Sequence, residues 1–323
     1  MDKIREAFRF FLTHKSKLSL TIFATFIFLF ILFPFDDLSD LVTEKVSQLT
    51  NNSVYLQFEK LKLKFFPTPG AQLSSVHFES LQTPALSIRD LTITPSPSAF
   101  INQKPFGTVK AEGFLNGDVQ IGMHKGTPTE TGTERYEIQV DAKQMSLLNI
   151  KELANLPVIL KGKLNLQSTI LTDLALNEQP EMEINLNIKE FEFPATTINT
   201  AMTGPLPLPE LKLSNVQIKG RLAAGQFIIE DGTIGKNQDQ LFGKIKGQLQ
   251  FSINRDSGHI QHQFGSYSLD VQLNFAPQLH KTLEVFLLPL SSYKTDEAGG
   301  VTKYQFRANA AIPGIVPNFS AVQ

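Results

Sequence analysis

Cysteine and tryptophan are both absent from this chain of 323 residues. Without cysteine there is no disulfide, no thiolate nucleophile and no cysteine-ligated zinc. Basic residues do not outnumber acidic ones, with 30 Lys and Arg against 31 Asp and Glu. The sequence therefore shows no basic patch of the kind that nucleic acid requires, which argues against DNA binding.

Motifs of the common enzyme classes are missing as well. The sequence contains no G-x-S-x-G motif, which would indicate a nucleophilic serine. The glycines and lysines of 235–247 do not follow the order of a phosphate-binding loop. His259 and His262 have a spacing that suits a metal ion on a helix, but their surroundings are strand-like and lack a carboxylate. Carboxylates are scattered singly. The sequence therefore predicts no enzyme, and no catalytic, cofactor-binding or metal-ligating residue.

One long hydrophobic run lies near the N-terminus, LSLTIFATFIFLFILFPF at residues 18–35. It contains no charged residue, and as a helix it reaches roughly 27 Å, close to the ~30 Å hydrocarbon core of a bilayer. The run predicts a transmembrane helix at 18–35. The residues taken to carry this membrane anchor are Leu18, Ile22, Phe23, Phe26, Phe30 and Phe33.

Charges on the two sides of this run predict its orientation. Residues 1–17 contain five Lys and Arg against two acidic residues, whereas acidic residues follow at Asp36, Asp37 and Asp40, which places 1–17 in the cytoplasm as a basic tail. A cleaved signal peptide fits less well, because the run is long and lacks a small-residue cleavage site. A buried core helix normally has a polar face. We expect a single-pass bacterial inner-membrane protein with a periplasmic domain, although a eukaryotic type II protein has the same features.

Residues 36–52 predict a short amphipathic linker helix. Its apolar positions recur at helical spacing, and Asn51 and Asn52 suit a turn at its C-terminus. Its apolar face has two candidate partners, the membrane surface and the first strands of the domain. The apolar positions are Leu38, Leu41, Val42, Val46 and Leu49.

An eight-residue pattern recurs after residue 53: two alternating apolar residues, a polar pair, and two more alternating apolar residues. Strict alternation keeps one strand face apolar, and an extra polar residue inverts the phase unless a bulge restores it. The pattern predicts strands bent at bulges, although two strands with a tight corner, or chance, give the same octad. The polar pairs are Glu59 and Lys60, Ser74 and Ser75, Arg89 and Asp90, Lys189 and Glu190, and Ser214 and Asn215.

Simpler alternation continues to the C-terminus, with glycines at strand ends. The expected class is a mainly β fold: a curved, mostly antiparallel sheet with a partly open groove, filling a periplasmic domain at 53–323. The Pro-rich stretch at 200–210 is a candidate subdivision, and a short helix is expected at 145–156.

The apolar face of such a sheet must be covered by a second sheet, a protein partner or acyl chains. Ordinary core packing explains most of it. An apolar groove that binds lipid or a partner is the functional alternative. The residues proposed for this groove are Leu56, Phe58, Leu61, Leu63, Leu86 and Ile88.

Several segments together resemble AsmA-like envelope proteins. An anchor and a short helix precede VYLQFEKLKLKFFPTPGAQLSSVHFES, where Phe66, Pro67 and Gly70 form a Phe-Pro step before the next strand. LSNVQIKGRLAAGQFIIEDGTIGKNQDQLFGKIKGQLQF at 213–251 is similar to the strand-Gly-strand repeats of that group, and YQFRANAAIPGIVPNF, with Pro317, to its closing strand. The length, single anchor and closing strand most resemble protein N of type II secretion systems (GspN).

The resemblance implies a non-enzymatic, inner-membrane-anchored component of the type II secretion system, which acts in protein export across the outer membrane. Its partners would be the inner membrane and other secretion-system or envelope proteins, engaged in part by strand addition. The alternative is an AsmA-like protein that binds or transfers phospholipid along an apolar β groove. Neither family implies a cofactor or a catalytic residue.

Overall fold

A computed structural model describes residues 15–32, 38–64, 68–80, 83–102, 104–129, 132–153, 158–200, 204–256, 259–296, 300–311 and 317–322. Most of the predicted cytoplasmic tail, the anchor residue Phe33, and Phe66 and Pro67 of the Phe-Pro step lie outside the described residues.

Two helices open the described chain. Helix α1 (Lys15–Leu32) contains most of the predicted anchor, and its Ile22 and Phe23 side chains are exposed. The side chains of Leu18, Phe26 and Phe30 lie outside the description. Within the described ranges, no helix reaches the length and apolarity that crossing a membrane requires.

Helix α2 (Leu38–Leu49) is the expected linker helix. It ends at Asn51 and Asn52, which both adopt positive φ angles of 51° and 58°, as expected for a C-terminal turn. Of its two candidate partners, the structure shows the strands: Val42 packs against buried Phe58, and Thr43 Oγ1 donates to the carbonyl oxygen of Leu56 at 2.6 Å. The helix thereby covers the first corner of the domain.

Strands make up most of the remainder, which confirms the mainly β prediction. They are β1 (Val54–Gln57), β2 (Lys60–Lys64), β3 (Gly70–Ser80), β4 (Thr83–Pro95), β5 (Gly107–Phe114), β6 (Gly117–Lys125), β7 (Tyr136–Ser146), β8 (Lys161–Thr172), β9 (Glu181–Phe193), β10 (Thr196–Thr200), β11 (Gly204–Leu208), β12 (Leu211–Ala223), β13 (Gln226–Ile234), β14 (Leu241–Asp256), β15 (His259–Phe275), β16 (Lys294–Asp296), β17 (Thr302–Ala310) and β18 (Asn318–Ser320).

Sixteen of these strands form one antiparallel sheet. Its main path runs β1, β3 to β9, β12 to β15, β17 and β16, while β2 pairs with β3 and β18 with β17. Strands β10 and β11 form a separate hairpin. Because β9 pairs directly with β12, the large sheet continues past 200–210, and that stretch belongs to the hairpin rather than to a boundary between two sheets.

One of the predicted bulges lies at a polar pair of the octads. Glu190 in β9 has φ of 53°, and the β8–β9 register shifts beside it. Gly162 of β8 lies against this bulge, where an added Cβ would come within 3.0 Å of the Lys189 carbonyl oxygen. Ser75 in β3 also has φ of 53°, but the β3–β4 register is the same on both sides of it. The first octad follows the corner alternative, because it divides into β1 and β2.

Three short helices and a 3₁₀ turn connect the strands: α3 (Pro97–Asn102), α4 (Leu147–Leu153), α5 (Pro277–Leu287) and the turn Leu288–Tyr293. Helix α4 begins two residues later than the helix expected at 145–156, because Met145 and Ser146 are still part of β7, and 154–156 lie outside the described residues. Helix α5 was not predicted. It begins at Pro277, a favourable first residue, and buries Leu279 and Leu287.

The buried side chains form three separate clusters rather than one continuous core. The first surrounds Phe58 and Val76 beneath α2, the second surrounds Met145 and Leu164 beneath α4, and the third joins α5 to β15 and β17. Helices therefore cover the apolar face at places along the sheet, and the segments between these clusters define the candidate site.

Candidate functional site

A row of mostly apolar residues crosses the sheet at right angles to its strands. Its members are direct register partners from β2 to β18, and we call them the apolar row: Leu63, Ala71, Ile93, Val109, Ile121, Val140, Ser168, Ile184, Gly220, Ile229, Gly247, Leu269, Ala308 and Phe319. The row exists because side-chain alternation has period two and each bulge restores the phase before the next strand.

The middle of this row is not part of any buried cluster among the described residues. Ile93, Val109 and Ile121 expose 40%, 36% and 39% of their surface, which is high for aliphatic side chains inside a large sheet. We call six residues the open stretch: Ile93, Val109, Ile121, Val140, Ile184 and Ile229. At about 4.8 Å per strand the open stretch is roughly 34 Å long.

The six predicted groove residues lie beside the open stretch rather than in it. Phe58 is buried at 3% exposure, and Leu56, Leu61 and Ile88 pack around it beneath α2. Leu86 packs against the second cluster, and Leu63 begins the apolar row as a half-buried residue. The structure thus brings four of the six together in a packed cluster.

Sequence reasoning missed the open stretch, although its residues alternate clearly along each strand. The missing information was which alternating residues would lie opposite one another, because this depends on hairpin turns and bulges. Leu115 and Asn116, with φ of 50° and 61°, form one such turn, and the register shift between Glu112 and Phe114 then places Val109 opposite Ile121.

The opposite face of the sheet is polar and contains a depression of about 650 Å³. Consecutive triplets from β7, β8, β9 and β12 line it, and the outer residues of each triplet point their polar side chains to this face. Arg221 and Glu230 form an ion pair of 3.2 Å at one end. Polar residues that line the depression include Thr108, Gln120, Gln139, Asp141, Gln167, Thr169, Glu183, Asn185 and Lys219.

Two carboxylates on the sheet are hydrogen-bonded to side chains of a neighbouring strand. Arg307 donates to both carboxylate oxygens of Asp270 at 2.6 and 2.9 Å, and these hydrogen bonds lower the pKa of Asp270. Hydrogen bonds from Ser74 and Gln72 likewise lower the pKa of Asp90. Each pair joins neighbouring strands, so it fixes register on the polar face.

The edge strand β2 carries a different charge pattern. Lys60, Lys62 and Lys64 alternate with Leu61 and Leu63, and all three lysines are exposed. Lysine on an edge strand commonly prevents unwanted strand pairing, but it also provides a complementary surface for an acidic strand.

Histidines and carboxylates do not converge in the described part of the chain, where no group of three or more could hold a metal ion. His262 lies exposed on β15, while the side chain of His259 is outside the description. His77 forms a 3.2 Å hydrogen bond with Ser87, and His280 forms one of 2.9 Å with Tyr304.

The chain was compared with protein-family models, curated proteins and solved structures. No protein-family model, curated protein or solved structure matches the chain.

Proposed function

We propose that this protein is a non-enzymatic bacterial envelope component that binds phospholipid acyl chains along the open stretch of its apolar row. The single observation that carries the proposal is the open stretch itself, in which six aliphatic side chains lie along a row of eight strands outside the three clusters, with Ser168 and Gly220 at the two remaining positions. The AsmA-like resemblance of the sequence supports the same function.

The dimensions and chemistry of the open stretch suit an acyl chain. One leaflet of a bilayer has a hydrocarbon thickness of about 15 Å, so the roughly 34 Å stretch accommodates a full chain. Covering aliphatic groups contributes about 0.8 kcal/mol per buried CH₂. Nothing in this row is charged, so headgroup chemistry plays no part in holding the chain.

Site-specific photocrosslinking in cells tests this proposal. Benzoylphenylalanine replaces Ile121 in the full-length protein, and mass spectrometry identifies what becomes attached after irradiation. Gln120 provides the matched control, because it is the adjacent residue on the same strand and faces the polar side. Phospholipid adducts at 121 and not at 120 support the proposal, whereas equal adducts, or none at 121, contradict it.

Membrane anchoring is part of the same proposal. We propose that 18–35 spans the inner membrane with 1–17 in the cytoplasm and the β domain, which continues to 323, in the periplasm. The hydrophobic run and its flanking charges support this topology. An alkaline phosphatase fusion after residue 60 is expected to be active, and a fusion that is active only with a cytoplasmic reporter contradicts the topology.

A role in type II secretion is the second candidate, and the lysines of β2 favour it. An acidic strand from another envelope protein, added to this edge, would place its carboxylates beside Lys60, Lys62 and Lys64 and its apolar residues beside Leu61 and Leu63. Replacing the three lysines with glutamate is expected to abolish secretion and leave lipid adducts at residue 121 unchanged. Normal secretion in a deletion strain rules this candidate out.

A further inference from the structure

Strands β14 and β15 extend past their neighbours as a two-stranded ribbon. Strand β13 pairs with β14 only as far as Gln250, and β17 pairs with β15 only from Tyr267 onward. Residues 251–256 and 259–264 consequently pair with each other beyond the end of the sheet. We call this segment the projecting ribbon.

One edge of the projecting ribbon is closed by a side chain. Gln179, in the β8–β9 loop, accepts from the Ile253 backbone N–H at 2.9 Å and donates to the Ile253 carbonyl oxygen at 3.1 Å. Its amide therefore replaces the missing residue of a neighbouring strand. Phe251 N–H similarly donates to the Gly225 carbonyl oxygen at 2.9 Å.

The other edge, along β15, has no partner strand among the described residues, and the same hydrogen bonds show how it is oriented. Ile253 directs its N–H and C=O toward Gln179, away from β15, so Ile253 and its register partner His262 form a pair without mutual hydrogen bonds. His262 must then direct its own N–H and C=O away from β14. Among the described residues no strand pairs with β15 at this position.

The sequence along this open edge is self-complementary. Residues 260–264 read I-Q-H-Q-F, a near-palindrome centred on His262. If a second copy pairs antiparallel in the register that places His262 opposite itself, Gln261 lies opposite Gln263, and position 260 lies opposite Phe264. Apolar positions then meet apolar ones and glutamines meet glutamines, which is the matching that stabilises antiparallel pairs.

We propose that the protein forms a homodimer by antiparallel pairing of two projecting ribbons, with His262 on the two-fold axis. The outward N–H and C=O of residues 260, 262 and 264 supply about six backbone hydrogen bonds between the copies. Phe264 is 48% exposed in one copy and stacks at 5.0 Å on Phe251, so its outer surface is available for a second chain.

The interface is small, so the dimer is expected to be weak and reversible in solution. A symmetric interface satisfies both copies with one patch, which is why the palindromic segment favours a second copy over an unrelated strand. This inference is independent of the proposed lipid site, which lies on other strands of the sheet.

A single cysteine tests the symmetry, because the native chain has none. In a hydrogen-bonded antiparallel pair the two Cα atoms are about 5.5 Å apart, which suits a disulfide. Full-length His262→Cys protein in detergent is therefore expected to form a disulfide dimer on mild oxidation. Asn254→Cys is the matched control, since Asn254 is exposed on the same ribbon but on the inner strand. Equal crosslinking of both variants, or none at 262, overturns the proposal.

A proline variant tests the backbone contacts. His262→Pro removes an N–H that points away from β14, so the ribbon should remain folded while the dimer weakens about tenfold or more. Sedimentation velocity of the full chain measures the dimer, and circular dichroism checks that the sheet is retained. An unchanged association constant for the folded variant overturns the proposal.

Discussion

The side-chain amide of Gln179 binds both the backbone N–H and the backbone carbonyl oxygen of Ile253, 74 residues further along the chain. It fastens the β8–β9 loop onto β14. A single glutamine thus joins parts of the sheet that do not pair as strands.

Gln179→Ala is expected to release this loop. Two backbone groups of Ile253 lose their partners, so the free energy of local opening at Ile253 should fall by about 1–3 kcal/mol. Native-state hydrogen exchange at the Ile253 amide measures the change. Gln248→Ala, an exposed glutamine on the same strand, should leave that exchange rate unaltered.

Phe58 and Ile121 should respond differently to truncation. Phe58→Ala removes a 3% exposed side chain from the cluster beneath α2, and we expect a loss of about 3–5 kcal/mol in unfolding free energy. Ile121→Ala lies in the open stretch and should cost below about 1 kcal/mol. Urea denaturation compares the two. Similar losses would mean that the open stretch is covered as firmly as the cluster.

Gly247 has no room for a side chain. Its φ is +144°, and an added Cβ would meet the Ser268 carbonyl oxygen at a distance far below contact. Gly247→Ala should therefore destabilise the β14–β15 pairing by about 2 kcal/mol or more. At Gly122 the nearest atom is the flexible end of His124 at 3.3 Å, so Gly122→Ala is the tolerated control. Thermal unfolding of both variants distinguishes them.

The Asp270 and Arg307 pair predicts a pH dependence of stability. Hydrogen bonds from Arg307 lower the pKa of Asp270 in the folded state. The pair therefore stabilises the fold above the unfolded pKa of about 3.9, and this contribution disappears as pH falls through the lower folded value. Asp270→Asn should reduce stability at pH 7 and have no effect at strongly acidic pH. Denaturation of the native and Asp270→Asn proteins over a pH series measures the difference, and an equal loss of stability at neutral and strongly acidic pH would contradict the prediction.

Local features of the fold could be predicted because local sequence determines them. Alternation predicted the strands, Asn51 and Asn52 predicted the turn after α2, and one octad predicted the bulge at Glu190. Helix α5 was missed, because its apolar residues were not separated from the strands around them, although Pro277 marks its start.

Long-range relationships could not be predicted. No local pattern links Gln179 to Ile253, since the contact depends on how far β14 extends beyond the end of β13. The proposed groove failed to coincide with the open stretch for a similar reason: α2 folds back onto Phe58 and covers it. Which apolar residues stay uncovered depends on where a few short helices lie.

Most strands of the large sheet pair with the strand before or after them in the chain, and the exceptions are the steps β1–β3, β9–β12 and β15–β17. In the described part of the chain the first and last strands of this sheet do not pair with each other. Most strands therefore add to a neighbour that precedes them in the chain, so the domain can assemble progressively from its N-terminal strands.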